Sequence, residues 1–150
     1  MKRSLARLLR VRSLLEDLAH RRLEGTTAAL RRLEDAAVHQ QQLSLRTRSQ
    51  ALDLLSSNPP ADPSEWLTGI ADADLLSWKS GQLAALADAA RPAVEEARAQ
   101  LLTRRIEHRQ LKTLLDEAAH AEQQERGRQE QRQIDDAFHS RAAFRRRRLP

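Results

Sequence analysis

Ser56-Ser57-Asn58-Pro59-Pro60-Ala61-Asp62-Pro63-Ser64-Glu65 sets two adjacent prolines directly in front of a helix-start signal. The prolines remove backbone donors and fix φ, so no helix runs through them. Behind them, Asp62 is placed to cap, Pro63 suits the first helical position, and Glu65 stands where a side chain can close a reciprocal cap. The stretch therefore reads as a chain reversal that feeds a new helix.

Before the reversal, the chain from Ser4 to Leu55 has no proline and a single glycine, Gly25. Apolar side chains recur there at steps of three and four. Leu8, Val11, Leu15 and Leu18 make one run. Leu23, Thr26, Leu30, Leu33 and Ala37 make another, which weakens toward Ser44, Ala51 and Leu54. The step from Leu18 to Leu23 is five, which predicts a phase slip in the seam without an end to the helix.

After the reversal, Leu76, Leu83, Leu86, Ala90, Ala97 and Leu101 form a stripe, resumed by Leu111, Leu115 and Ala118. Gly69, with Asp72 and Asp74, permits a break near residue 72. Pro92 removes one ladder hydrogen bond and is expected to kink the helix rather than stop it. From Ala121 to Gln133 the only apolar residue is Ala121 itself, so that segment cannot bury a face. Ile134, Ala137 and Phe138 restore a short one. No solenoid-type repeat is present.

The expected fold is all-α: a long two-helix antiparallel coiled-coil hairpin. The first helix covers about 4–55, the turn about 56–62 and the second helix about 63–145, with a basic tail at about 145–150. Fifty helical residues extend about 75 Å, and the first helix should pair with roughly residues 75–125 of the second, which then overhangs. Ala90, Ala93 and Ala97 would let the backbones approach closely.

Composition agrees. Hydrophobic residues make up 40% of the 150-residue chain and aromatics 3%, which leaves Trp66, Trp78, Phe138 and Phe144 as the only large rings. A wide core is hard to fill without aromatics, whereas Leu, Ala, Arg, Gln and Glu are good helix formers. There is no cysteine, so disulfides and thiolate metal sites are excluded. Arg7, Arg10, Arg12 and Glu16 interrupt any secretory h-region, and no run of about 18 apolar residues offers a membrane span.

Catalytic chemistry finds little support. His20, His39, His108, His120 and His139 share no ligand spacing with each other or with carboxylates. A two-helix protein also lacks a cleft that excludes water. The expectation is a protein without enzyme activity, metal, cofactor or small-molecule substrate.

The net charge is +5, and no acid follows Asp136 while Arg141, Arg145, Arg146, Arg147 and Arg148 do. Such an end suits an acidic partner, a membrane surface or nucleic acid, or simply solvent. Without stacking aromatics or a recognised motif, the four adjacent arginines carry no specific nucleic-acid signal. Trp66 and Trp78 flank the turn. They read either as cover for the last core layer or as partner anchors.

Taken together, the opening Leu5-Ala6-Arg7-Leu8-Leu9-Arg10-Val11-Arg12, Trp66 just beyond the turn, and the tail Gln133-Ile134-Asp135-Asp136-Ala137-Phe138 through Arg141-Ala142-Ala143 resemble the FliJ/YscO (SctO) family. These are the central stalk proteins of type III secretion and flagellar export machines. The likeness covers nearly the whole chain, and only the tail is motif-like. Ala137 separates the paired acids from Phe138, which departs from the family pattern. The resemblance implies a cytoplasmic protein at the base of a secretion machine, associated with the membrane only indirectly. Its paired termini would enter a hexameric export ATPase through Leu5, Leu8, Phe138, Arg141 and Arg145 to Arg148. Its turn-side half, with Gln42, Leu45, Trp66, Leu76 and Trp78, would meet the cytoplasmic domain of the export-gate protein or substrate chaperones. The family's aromatic gate contacts on the first helix have no aromatic counterpart here. The competing reading, from periodicity alone, is a generic coiled-coil adaptor or structural rod.

Overall fold

A computed structural model describes the backbone of residues 2–59 and 61–146 and the side chains of residues 4–59 and 61–141. It contains two helices, α1 (Lys2–Leu55) and α2 (Pro63–Arg146), and no strand among the described residues. They form the expected all-α antiparallel hairpin. α2 begins as its sequence dictates. The Asp62 carboxylate accepts a hydrogen bond from the Ser64 backbone N–H at 3.0 Å, and Pro63 takes the first helical position. That bond holds the Asp62 carboxyl below its ordinary 3.8. The reciprocal arm expected of Glu65 is not formed; its backbone N–H bonds the Asp62 carbonyl at 2.9 Å instead. α2 runs without a break through Gly69 and carries Pro92 inside it.

The chain divides into two compact units, Leu15–Arg104 and Met1–Leu14 with Arg105–Pro150. In the first, the seam of α1 runs through Glu16, Ala19, Leu23, Thr26, Leu30, Leu33, Ala37, Gln40, Ser44, Thr47 and Ala51, with Leu15, Thr27, Glu34, Ala36 and Leu43 half-buried beside it. The seam positions alternate steps of three and four without exception, so the slip expected after Leu18 does not occur. Leu18 itself is exposed. On α2 the covered positions repeat every seven residues through Ala73, Ser80, Ala87, Val94 and Leu101, with Leu76, Leu83, Ala90 and Ala97 between them. A sustained 3.5-residue mean step is the pattern of a left-handed supercoil. Leu86, expected in this stripe, and Ala93, expected at close approach, both face outward.

The seam near the turn is built of small residues. Ala37, Ser44 and Ala51 on α1 mirror Ala73, Ser80 and Ala87 on α2, and all six are buried. The Ser44 hydroxyl donates to the Ala73 carbonyl at 2.7 Å, and the Ser80 hydroxyl donates to the Ala37 carbonyl at 2.8 Å. These reciprocal bonds, each contributing about 1 kcal/mol, set position 44 opposite 73 and 37 opposite 80. A Cβ placed on Gly69 would lie 2.8 Å from the Ala51 Cβ, so glycine is what lets the helices touch there. No large side chain in the protein is fully buried among the described residues. Cohesion comes from proximity of the two backbones rather than from bulky side chains.

In the second unit, Leu5, Leu9 and Arg12 of α1 are half-buried, as are Glu107, His108, Leu111 and Leu115 of α2. Arg12 donates to Glu107 across this seam, in an ion pair whose two side chains are both about one-third exposed. Beyond Leu115, every described residue from Asp116 to Arg141 is exposed, including Ala118, which was expected to continue the stripe. The seam positions would fall on Glu122, Gln129 and Asp136, so the sequence offers nothing there for a covering helix to bury.

Candidate partner-binding surfaces

The uncovered part of α2 is held as a helix by its own side chains. Arg126 pairs with Glu122 at 3.9 Å, Arg128 with Glu125 at 4.0 Å, and Gln131 donates to Asp135 at 3.0 Å. Pairs three and four residues apart support helices that lack tertiary cover. On this scaffold Ile134, Phe138 and Arg141 share one face by helical spacing. Ile134 is half exposed and Phe138 is 72% exposed. An aromatic that large in solvent, beside a cation, is a ready anchor for a partner. At that exposure Phe138 is not packed under the start of α1. Arg145 and Arg146 continue the helical backbone, with side chains outside the described residues, and Arg147 and Arg148 lie outside them altogether.

At the start of α1, Leu5 belongs to the seam, whereas Leu8, Val11 and Leu14 are about half exposed or more. Arg7 and Arg10 stand among them, also exposed. The sequence run Leu8, Val11, Leu15 and Leu18 is therefore not the seam, since only Leu15 of the four is half-buried. The true seam is rotated toward Leu9 and Arg12, because the heptad step from the Ala/Ser positions fixes it there.

The turn-side residues divide. Gln42 and Leu45 are exposed on α1. Trp66 and Leu76 are half-buried seam members, so their first role is packing. Trp78 is 61% exposed and does not cover the last core layer with Trp66. Its neighbour one turn earlier, Leu75, is also half exposed. Sequence reading missed Val38 and Leu52, which lie seven residues to either side of Leu45 and are each more than half exposed. The seven-residue recurrence was the available signal.

Two concave surface features among the described residues are shallow. One is lined by Ile106, Arg109, Gln110, Thr113, Leu114 and Glu117, another by His20, Leu23, Glu24, Thr27, Ala28 and Arg31. Each lies along one helix and is open to solvent. Among the described residues no three His, Asp or Glu side chains converge as metal ligands, and no helix is long and apolar enough to cross a membrane. No protein-family model, curated protein or solved structure matches the chain.

Proposed function

We propose that this protein is a non-enzymatic stalk that couples a hexameric export ATPase to the export gate of a type III secretion or flagellar export apparatus. One observation carries the reading: α2 runs on past its cover from Asp116 to Arg141 and presents Phe138 and Arg141 on that uncovered helix. A ring of subunits with a central pore has room for such a helix, and an exposed aromatic next to cations offers it an anchor. Arg145 to Arg148 add positive charge along the same end of the sequence. Leu8, with Val11 and Leu14, supplies a second apolar surface for the same partner, and Leu5 supports it from the seam. Gln42 and Trp78 are exposed candidates for contact with the gate domain or a substrate chaperone, with Trp66 and Leu76 holding that region in shape. The location that follows is cytoplasmic, at the base of the machine.

The test is direct. The purified chain, mixed with the hexameric export ATPase of its own organism, should promote hexamer assembly and raise hydrolysis. Phe138→Asp with Arg141→Glu should abolish both effects while leaving helical content unchanged. A chain that binds neither the ATPase nor the gate domain is instead a generic coiled-coil adaptor, and the proposal fails.

A further inference from the structure

Within Leu15–Arg104 the hairpin has two flanks. The Glu34–Arg91 and Arg48–Asp74 ion pairs mark one, and the Arg22–Gln100 hydrogen bond marks the other. On the first flank, α1 carries Val38, Leu45 and Leu52, each one position past the seam residues Ala37, Ser44 and Ala51. Each is more than half exposed. Apolar residues at a strict seven-residue step, beside a seam already in use, make a second apolar stripe with no neighbour of its own in the hairpin.

The α2 edge of that same flank is notched. Gly81 adjoins Ser80 just as Val38 adjoins Ala37, and Ser80 bonds Ala37, so the valine and the glycine stand at one level. A Cβ on Gly81 would meet nothing within 4 Å. The hairpin's own packing therefore does not require glycine here, in contrast to Gly69. A glycine inside a helix nevertheless costs about 1 kcal/mol relative to alanine. Gly25 and Gly127 are open as well, but their neighbours one turn away are Arg21, Arg22, Ala28 and Ala29 for the first and glutamines with Glu130 for the second. Gly81 alone sits level with an exposed apolar ridge.

We infer that this flank is the interface of a homodimer, in which the Val38, Leu45 and Leu52 ridge of one copy lies along the Gly81 edge of the other. Ridge and notch on one face are what a two-fold, isologous contact needs. Charge favours a second copy over a partner of one sign. The face carries Glu34, Asp74 and Asp88 together with Arg48 and Arg91. Laying α1 of one copy on α2 of the other brings Glu34 again to Arg91 and Arg48 again to Asp74. The inference does not depend on the export reading.

Sedimentation or light scattering of the full chain between about 1 and 200 μM, a span that brackets weak to moderate association, tests it. The mass should rise with concentration from 17.1 kDa toward twice that value. Gly81→Leu fills the notch at a position where an added Cβ meets nothing of the hairpin, and should weaken dimerisation about tenfold or more, with circular dichroism unchanged. Leu45→Glu should do the same. Leu86→Gln, which removes an equally exposed leucine from the opposite flank, should leave the dimer intact. A 17.1 kDa species at every concentration would overturn the inference, including the case in which only a different protein's helix occupies the ridge. So would a dimer indifferent to Gly81→Leu and Leu45→Glu, or one lost equally with Leu86→Gln.

Discussion

Near the turn the helices meet through Ala37, Ser44, Ala51, Ala73, Ser80 and Ala87; between residues 5–12 and 107–115 they meet through leucines, Arg12 and Glu107. The same seven-residue step serves both regions, with opposite physics. In the first, side chains end at or just beyond Cβ, the backbones are close, and hydroxyls bond directly to the facing carbonyls. Such a contact has no slack. In the second, long side chains bridge a half-wet seam and can adjust. Register and handedness are therefore fixed near the turn, while the other region tolerates change.

The largest effect should follow from adding volume where there is none. Ala73 is 0% exposed and faces Ser44. Ala73→Leu should cost about 3 kcal/mol, the upper end of ordinary overpacking, measured by urea denaturation. Leu111→Met, a volume-conserving change in the second region, should cost less than about 1.5 kcal/mol. Equal losses would erase the distinction.

A subtler break uses Gly69. Gly69→Ala raises helix propensity, so on an open helix it would stabilise by about 1 kcal/mol. Against the Ala51 Cβ it should instead destabilise, by about 1–2 kcal/mol. Ala51→Gly in the same chain should recover most of the loss, because it removes the opposing methyl. A double-mutant cycle reads that recovery as a coupling energy.

The ion pair of the second region should matter less. Arg12 and Glu107 are each about one-third exposed, so solvent screens them. Arg12→Ala should cost no more than about 1 kcal/mol. Replacing both with Leu should leave stability equal or higher, since an apolar pair seals the seam without desolvating charge.

The smallest effect concerns the cap. The Asp62 carboxyl is depressed below 3.8 by the Ser64 N–H bond. A depressed carboxyl adds stability that is fully present above its unfolded pKa and is lost as pH falls through the lower folded value. The cap should thus contribute uniformly above about pH 4 and fade below it. In Asp62→Asn that component of the acid dependence should vanish, which thermal melts between pH 2 and pH 6 would show.

Much of the fold was legible from the sequence, because its signals are local. Asp62-Pro63-Ser64 marks the start of α2 to the residue, and the proline pair marks the reversal. The seam was only half legible. Counting leucines selected Leu8, Leu18 and Leu86, which are exposed, and passed over Ala73, Ser80, Ala87 and Val94, which are buried. Where backbones touch, alanine and serine hold the interface and leucine is too large to enter it. Hydrophobicity therefore points to the outer stripes, and the recurrence of Ala and Ser at seven residues is what points inward. Of the candidate surface residues, Phe138, Arg141, Leu45 and Trp78 lie exposed as a partner site requires, while Trp66 and Leu76 are drawn into packing.

Hydrogen exchange along α2, with and without the export ATPase, tests the functional account most directly. In the chain by itself, amides near Ala73 to Leu101 should exchange slowly and those from Asp116 to Arg141 quickly, since only the former are covered. Adding the ATPase should slow the second group and leave the first unchanged. Slow exchange around Phe138 before any partner is added, or none of the slowing afterwards, would contradict the account.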